Sequence, residues 1–285
     1  MTGLFGFVAS RPEIGATVLS ADAGAVEARS AGDALRWGIG YFQGDDILLR
    51  RRPSDPRSVV PVGQMVADVK SRQLIGYYGA AKANAMHTDD THPFRYRTWL
   101  FAHTGVMDGN AMVRERLLEF VPDFLRSSMR GETAGELLFH LFLSNLHAHG
   151  TLQSGTVEPD EAKTALRELI DRVEQVSSGV GVARPELNII VANGQFVVAA
   201  RTGRSMLYRA VRARELEELF GHETPSRRGV DFASTRVSLI ASSVVRNAAA
   251  YRPVPAGSLL TLTHDAEPVC EPIERRVASR VAFAA

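Results

Sequence analysis

Short apolar runs broken by glycine open the chain, and residues 3–9 (GLFGFVA) read as a buried strand. Residues 37–42 (WGIGYF) and 46–49 read as two strands joined at Gly44-Asp45, a hairpin signal. Residues 73–78 and 99–103 (WLFAH) are further strand candidates, separated by a polar stretch that runs through Thr91. The period then changes. Residues 111–120 have helical spacing and stop before Pro122. Residues 133–147 place Leu137, Leu138, Leu141, Phe142 and Leu146 on one helical face, with Gly150 as a stop. Residues 159–176 repeat the pattern with Ala162, Leu166, Leu169, Ile170 and Val173, and Pro159 suits a first helical turn. Strands return at 187–192 and 195–201, joined by Asn193-Gly194, the strongest two-residue turn signal. Residues 237–241 and 258–262 complete the set. Strands, then helices, then strands predict a layered α+β fold with two sheets and helices. No linker and no repeat divides the 285 residues, which read as a single domain, 1–285.

Composition narrows the function classes. The chain is 45% hydrophobic and 23% charged, as an ordinary globular protein is. A net charge of +1 gives no global attraction to nucleic acid or to an anionic membrane. The run Arg50, Arg51, Arg52 reads as the solvated edge of a strand, with phosphate binding as the sharper alternative. Cys270 is the one cysteine, so no intrachain disulfide can form; it reads as a small residue in or beside a strand. The sequence shows no signal-peptide pattern, no apolar run of membrane-spanning length and no lipidation motif in the tail, so the expected location is the cytoplasm.

Several segments together carry a family resemblance. They are MTGLFGF, WGIGYF, IGYYGAAKANAMHTDDTHPF, WLFAHTG, GETAGELLFHLFL, LNIIVANGQFVVAAR and RPVPAGSLLTL, in that order along nearly the whole chain. The set resembles class-II glutamine amidotransferases, which are N-terminal-nucleophile hydrolases. It is most similar to the stand-alone bacterial subgroup that includes the ergothioneine-pathway amidohydrolases. The resemblance implies a four-layer αββα sandwich, two antiparallel sheets between helix layers. It also implies a chemistry. A cysteine at residue one attacks the amide with its own α-amine as base. An Asn side chain and the next Gly N–H form the oxyanion hole. An Arg binds the substrate α-carboxylate and an Asp its α-ammonium.

This sequence departs from that set at most positions. The nucleophile position holds Thr2. The family's HVR or HIR motif reads Tyr77-Tyr78-Gly79, so Gly79 stands for the carboxylate-binding Arg; His92-Pro93-Phe94 fixes the register. The HNG motif reads His103-Thr104-Gly105, which keeps the Gly105 backbone donor and loses the Asn amide to Thr104. The TDSE motif reads Thr133-Ala134-Gly135-Glu136, with Ala134 for the ammonium-binding Asp. A later ASEP motif reads Ala241-Ser242-Ser243-Val244.

Two functional readings follow. One is a fold that kept its shape and lost glutaminase chemistry, acting as a binding or scaffold protein toward a small molecule or a protein partner. The other is an amidohydrolase using Thr2 on an amide that is not a free amino acid, since threonine is a nucleophile of this mechanistic class. Tyr77 and Tyr78 are candidates to line the pocket, one of them filling volume left by the missing Arg. With Gly79 and Ala134 in place of charged residues, the pocket is expected to be roomier and less polar than a glutamine site. His87, Asp89, Asp90 and His92 are ordinary ligand types but lack a clean metal-ligand spacing, so neither a metal nor any other cofactor is expected. His140, His147 and His149 read as packing or rim residues of one helix.

Overall fold

A computed structural model describes residues 2–27, 34–44, 46–80, 87–106, 111–221, 231–242 and 245–274. Its elements run β1 (Gly3–Ala9), α1 (Gly15–Asp22), β2 (Ala25–Glu27), β3 (Leu35–Gln43), β4 (Asp46–Asp55), β5 (Val59–Pro61), α2 (Val62–Met65) and β6 (Gln73–Ala80). Next come β7 (Phe94–Tyr96), β8 (Trp99–Val106), α3 (Ala111–Leu118), α4 (Asp123–Arg126), α5 (Ala134–Ala148) and α6 (Pro159–Gly179). The last are β9 (Glu186–Ala192), β10 (Phe196–Arg201), β11 (Leu207–Val211), α7 (Ala213–Phe220), β12 (Val237–Ala241), β13 (Arg252–Pro253), β14 (Ser258–Thr263) and β15 (Val269–Pro272). Met1, Asp45, Ser243, Val244 and the tail 280–285 fall outside the described residues.

Two antiparallel sheets form the centre. One has the order β13-β11-β12-β1-β6-β3-β4 and the other β15-β14-β10-β9-β8-β7. Three apolar layers explain why they stack. Leu4, Ile75, Leu100, Ala102, Ile190, Val197 and Leu260 fill the space between the sheets. Phe5, Phe7, Leu74 and Tyr78, from the opposite face of the first sheet, pack with Val18 and Leu19 of α1 and Leu216 of α7. Phe101, Ile189 and Val198, from the outer face of the second sheet, pack with α3, α5 and α6. The strands are apolar on both faces because each sheet is covered twice, which gives the expected αββα sandwich.

Local differences have local causes. β4 runs on past Leu49 through Arg50, Arg51, Arg52 and Pro53 to Asp55. It is the edge strand of its sheet, where solvent accepts Arg50 and Arg52 and proline's missing N–H costs no ladder bond, while Arg51, expected with them at a solvated edge, turns inward to donate to Thr91 O and face Asp89. At the β9–β10 turn, Asn193 N–H donates to Phe196 O, so Gly194 and Gln195 are the central pair rather than Asn193 and Gly194. Gly194 supplies the positive φ of 89°, while the Asn193 side chain accepts from both Gln195 N and Phe196 N. Cys270 lies in β15. No helix among the described residues is long and apolar enough to cross a membrane.

Candidate functional site

β1 is a central strand, flanked by β12 and β6. Its second residue is held twice by Ser242, whose Oγ accepts from Leu4 N at 2.9 Å and whose N–H donates to Leu4 O at 2.8 Å. The β1–β6 register pairs Leu4 with Tyr77 and Gly3 with Tyr78. One residue earlier, Thr2 meets Gly79: a Cβ built on Gly79 would lie 3.0 Å from the Thr2 methyl and 2.5 Å from Tyr77 Oη. Thr2 itself is exposed.

The two tyrosines part company because neighbours on a strand point to opposite faces. Tyr77 faces the inter-sheet layer with Leu4, beside Thr2 and Gly79. Its ring packs on His92, with centroids 4.6 Å apart. Tyr78, expected as a second pocket residue, points the other way. It packs beneath Gly3, stacks on Phe5 at 6.3 Å and belongs to the α1 layer.

His92 joins Tyr77 to the second sheet. It meets His103 of β8 edge-on, with centroids 4.9 Å apart, and both rings are buried. Gly135, in the first turn of α5, caps the pair: a Cβ there would lie 2.5 Å from His92 Nε2 and 2.9 Å from His103 Nε2. Ala134 is the residue before Gly135. It opens α5 behind the N-cap Thr133, whose Oγ1 accepts from Glu136 N at 3.2 Å. The Glu136 carboxylate accepts from Arg130 N and Gly131 N at 2.7 and 2.6 Å, which fixes the turn before the helix.

These histidines are neutral. Burial lowers the His103 pKa to about 4, with the backbone of Thr104 partly opposing and Arg36 adding to the shift. His92 is held well below the usual imidazole value by burial first, then by His103, Arg36 and Arg51. Both nitrogens of His92 and Nδ1 of His103 have no hydrogen-bond partner among the described residues. The candidate metal residues do not converge. His92 turns inward, while Asp89 faces Arg51 at 3.6 Å.

Thr104 and Gly105 follow on β8. Ala102 belongs to the same inter-sheet layer as Leu4, so Thr104, two residues on, shares the face turned toward β1. Thr104 is buried and pairs with Asn188 of β9. Gly105 is exposed, with φ of 126°, and an added Cβ would lie 1.9 Å from Glu186 O. Only glycine fits there.

One residue absent from the sequence reading joins this group. Arg36 of β3 lies directly across from Gly79. Its Nε and Nη2 donate to Tyr77 Oη at 3.3 and 3.0 Å, and its Cζ lies 5.4 Å from the Tyr77 ring centroid. The available signal was parity, since Arg36 and Gly38 alternate with the apolar Trp37 and Ile39; the pairing partner was not in the sequence.

Comparison with known proteins agrees with this frame. The family model for class-II glutamine amidotransferases matches residues 1–282. A "Probable glutamine amidotransferase DUG3" of Saccharomyces cerevisiae is 23% identical over 179 residues, 58% of this chain. The chain spans about half the length of that curated relative, the alignment covering 50% of it. A glutamine aminotransferase class-II domain protein from Silicibacter pomeroyi superposes with a TM-score of 0.58 at 18% identity, covering 95% of this chain and 98% of the other. A predicted glutamine amidotransferase from Pseudomonas aeruginosa gives 0.59 at 17%, covering 94% and 99%. At such identities the two structures speak for the fold. With the family match across nearly every residue, they make this chain a member of the class-II glutamine amidotransferases.

Proposed function

We propose that the chain keeps the amidotransferase fold without glutaminase activity and acts as a binding or scaffold protein. The observation that carries this reading is Tyr77 Oη standing 2.5 Å from the point where a side chain on Gly79 would begin. The position implied for the carboxylate-binding Arg has no side chain, and the phenol fills its root. Ala134 offers a methyl group where the resemblance implies a carboxylate for the substrate ammonium. Thr104 offers a hydroxyl in place of an amide donor. Loss of one oxyanion donor costs about 2.7–4 kcal/mol of transition-state stabilisation. An unpaired desolvated charge costs about 2–5 kcal/mol. A glutamine zwitterion seated here would meet these losses together. The test is exposure of the purified protein to a glutamine-analogue electrophile. No covalent adduct is expected, and an adduct on Thr2 would refute the reading.

The exposure of Thr2 favours a second reading, in which its hydroxyl attacks a different amide with the Thr2 α-amine as base. Intact mass separates the two, since a retained Met1 blocks that amine and excludes the hydrolase.

A further inference from the structure

We propose that the cavity where the edge strands β4 and β7 meet the turn entering α5 binds a small phosphate monoester, with the guanidinium groups of Arg51 and Arg130 as its anchors. Thr2, Tyr77, Gly79 and Thr104 do not line this cavity, so the proposal stands apart from the reading of the Thr2 site.

The place follows from the topology. β4 ends the first sheet and β7 ends the second. Arg95 Nη1 of β7 donates to Ile47 O of β4 at 2.8 Å, which ties the two edges together. The cavity beside this bridge holds about 390 Å³, within the usual size of small-molecule sites.

Arg51 is turned into it by strand geometry. Ile47 and Leu49 pack in the inter-sheet layer, and Arg51, two residues on, shares their face. Gly38 lies directly across on β3, where a Cβ would stand 3.0 Å from Arg51 Cγ, so the bare glycine leaves room for the arginine stem. The Arg51 side chain is only 15% exposed. It reaches Thr91 O at 3.3 Å and Asp89 at 3.6 Å, and these two long contacts do not exhaust the five N–H donors of a guanidinium.

Charge selects the ligand. Burial lowers the Arg51 pKa, Asp89 opposes the shift, and Arg130 adds to it, so two guanidinium groups repel each other across one cavity. An anion between them relieves both. Arg95 and Arg97 bring the lining to four arginines against the carboxylates of Asp89 and Glu136, an excess of two positive charges. Glu136 is already engaged with Arg130 N and Gly131 N, and the Ser128 hydroxyl with Leu125 O and His140 Nε2. Burial lowers the His140 pKa, which keeps that ring neutral. A phosphate monoester carries about −1.5 to −2 charge at pH 7 and three acceptor oxygens, which matches this excess. Phe94, Tyr96 and Phe139 also line the cavity and suit an apolar body on the ester.

Titration calorimetry of the full chain with phenyl phosphate, inorganic phosphate and benzoate tests this. Phenyl phosphate should bind at least about tenfold more tightly than benzoate, which has the ring and one charge, or inorganic phosphate, which lacks the ring. Arg51→Gln should weaken phenyl phosphate by at least about tenfold, while its melting temperature in plain buffer shows that it is folded. Arg52→Gln alters the next residue, exposed and outside the cavity, and should change the affinity by less than about twofold at physiological salt. The comparison of the three ligands needs no variant, so it decides the matter even if Arg51→Gln misfolds. No binding of phenyl phosphate, equal binding of benzoate or of inorganic phosphate, unchanged binding by a folded Arg51→Gln, or equal losses at Arg51 and Arg52 overturns the proposal.

Discussion

Tyr77 and Gly79 share one volume: the phenol oxygen stands 2.5 Å from where a Gly79 Cβ would lie, two residues along the same strand. A side chain at 79 and the present position of Tyr77 exclude each other. Tyr77 is also tied to Arg36 and packed on His92, so it cannot swing aside freely.

Gly79→Arg should therefore destabilise the protein by about 1–3 kcal/mol, the usual range for overpacking. The urea midpoint reports it. Tyr77→Ala in the same chain should recover much of the loss. An unchanged midpoint for Gly79→Arg alone would show that the phenol is not confined.

Restoring the family set with Thr2→Cys, Gly79→Arg, Thr104→Asn and Ala134→Asp should give no glutamine binding by calorimetry while Tyr77 is present. Adding Tyr77→Ala should give measurable binding if the backbone geometry is intact. Binding by the fourfold variant alone would contradict the account of Tyr77.

The buried histidines set a pH window. Their folded pKa values lie below the ordinary value near 6.5, so the unfolded chain takes up protons more readily. Their contribution to stability is complete above about pH 6.5. It is lost as pH falls toward the His103 value of about 4. Each such proton gives a slope of about 1.36 kcal/mol per pH unit. Urea midpoints between pH 7 and pH 4 should fall accordingly, and His103→Phe should flatten the slope. A wild-type midpoint that is constant across that window would contradict the neutral, buried assignment.

Thr133→Ala removes the side-chain cap of α5, and should cost about 1 kcal/mol in thermal unfolding. Thr133→Asn should cost little, because Asn caps as well. Equal losses for both would show that the hydroxyl is not the capping group.

The long helices were legible because their apolar residues recur with a helical period, although α5 is buried almost all round, from Gly135 to Ser144 and at Leu146. Leu137, Leu138, Leu141 and Leu146 on α5, and Leu166, Leu169, Ile170 and Val173 on α6, are all buried as the spacing requires. α1 was not legible, since Gly15, Thr17 and Val18 are poor helix formers and Ile14 offers no side-chain cap. It is helical because Val18 and Leu19 cover the first sheet. α7 carried a readable signal in Leu216 and Phe220, buried and four residues apart. Thr2, Gly79 and Ala134 came from motif positions on three different elements, before β1, in β6 and at the start of α5. Tyr78 was misread because alternation along β6 was not applied to it, and Arg36 because its neighbour is chosen by strand pairing.

The central claim concerns glutamine itself. Ammonia release from saturating glutamine, followed with purified wild-type protein and with Thr2→Ala, tests it directly. No release above the uncatalysed rate is expected for either protein. Clear turnover by the wild type that Thr2→Ala abolishes would contradict it.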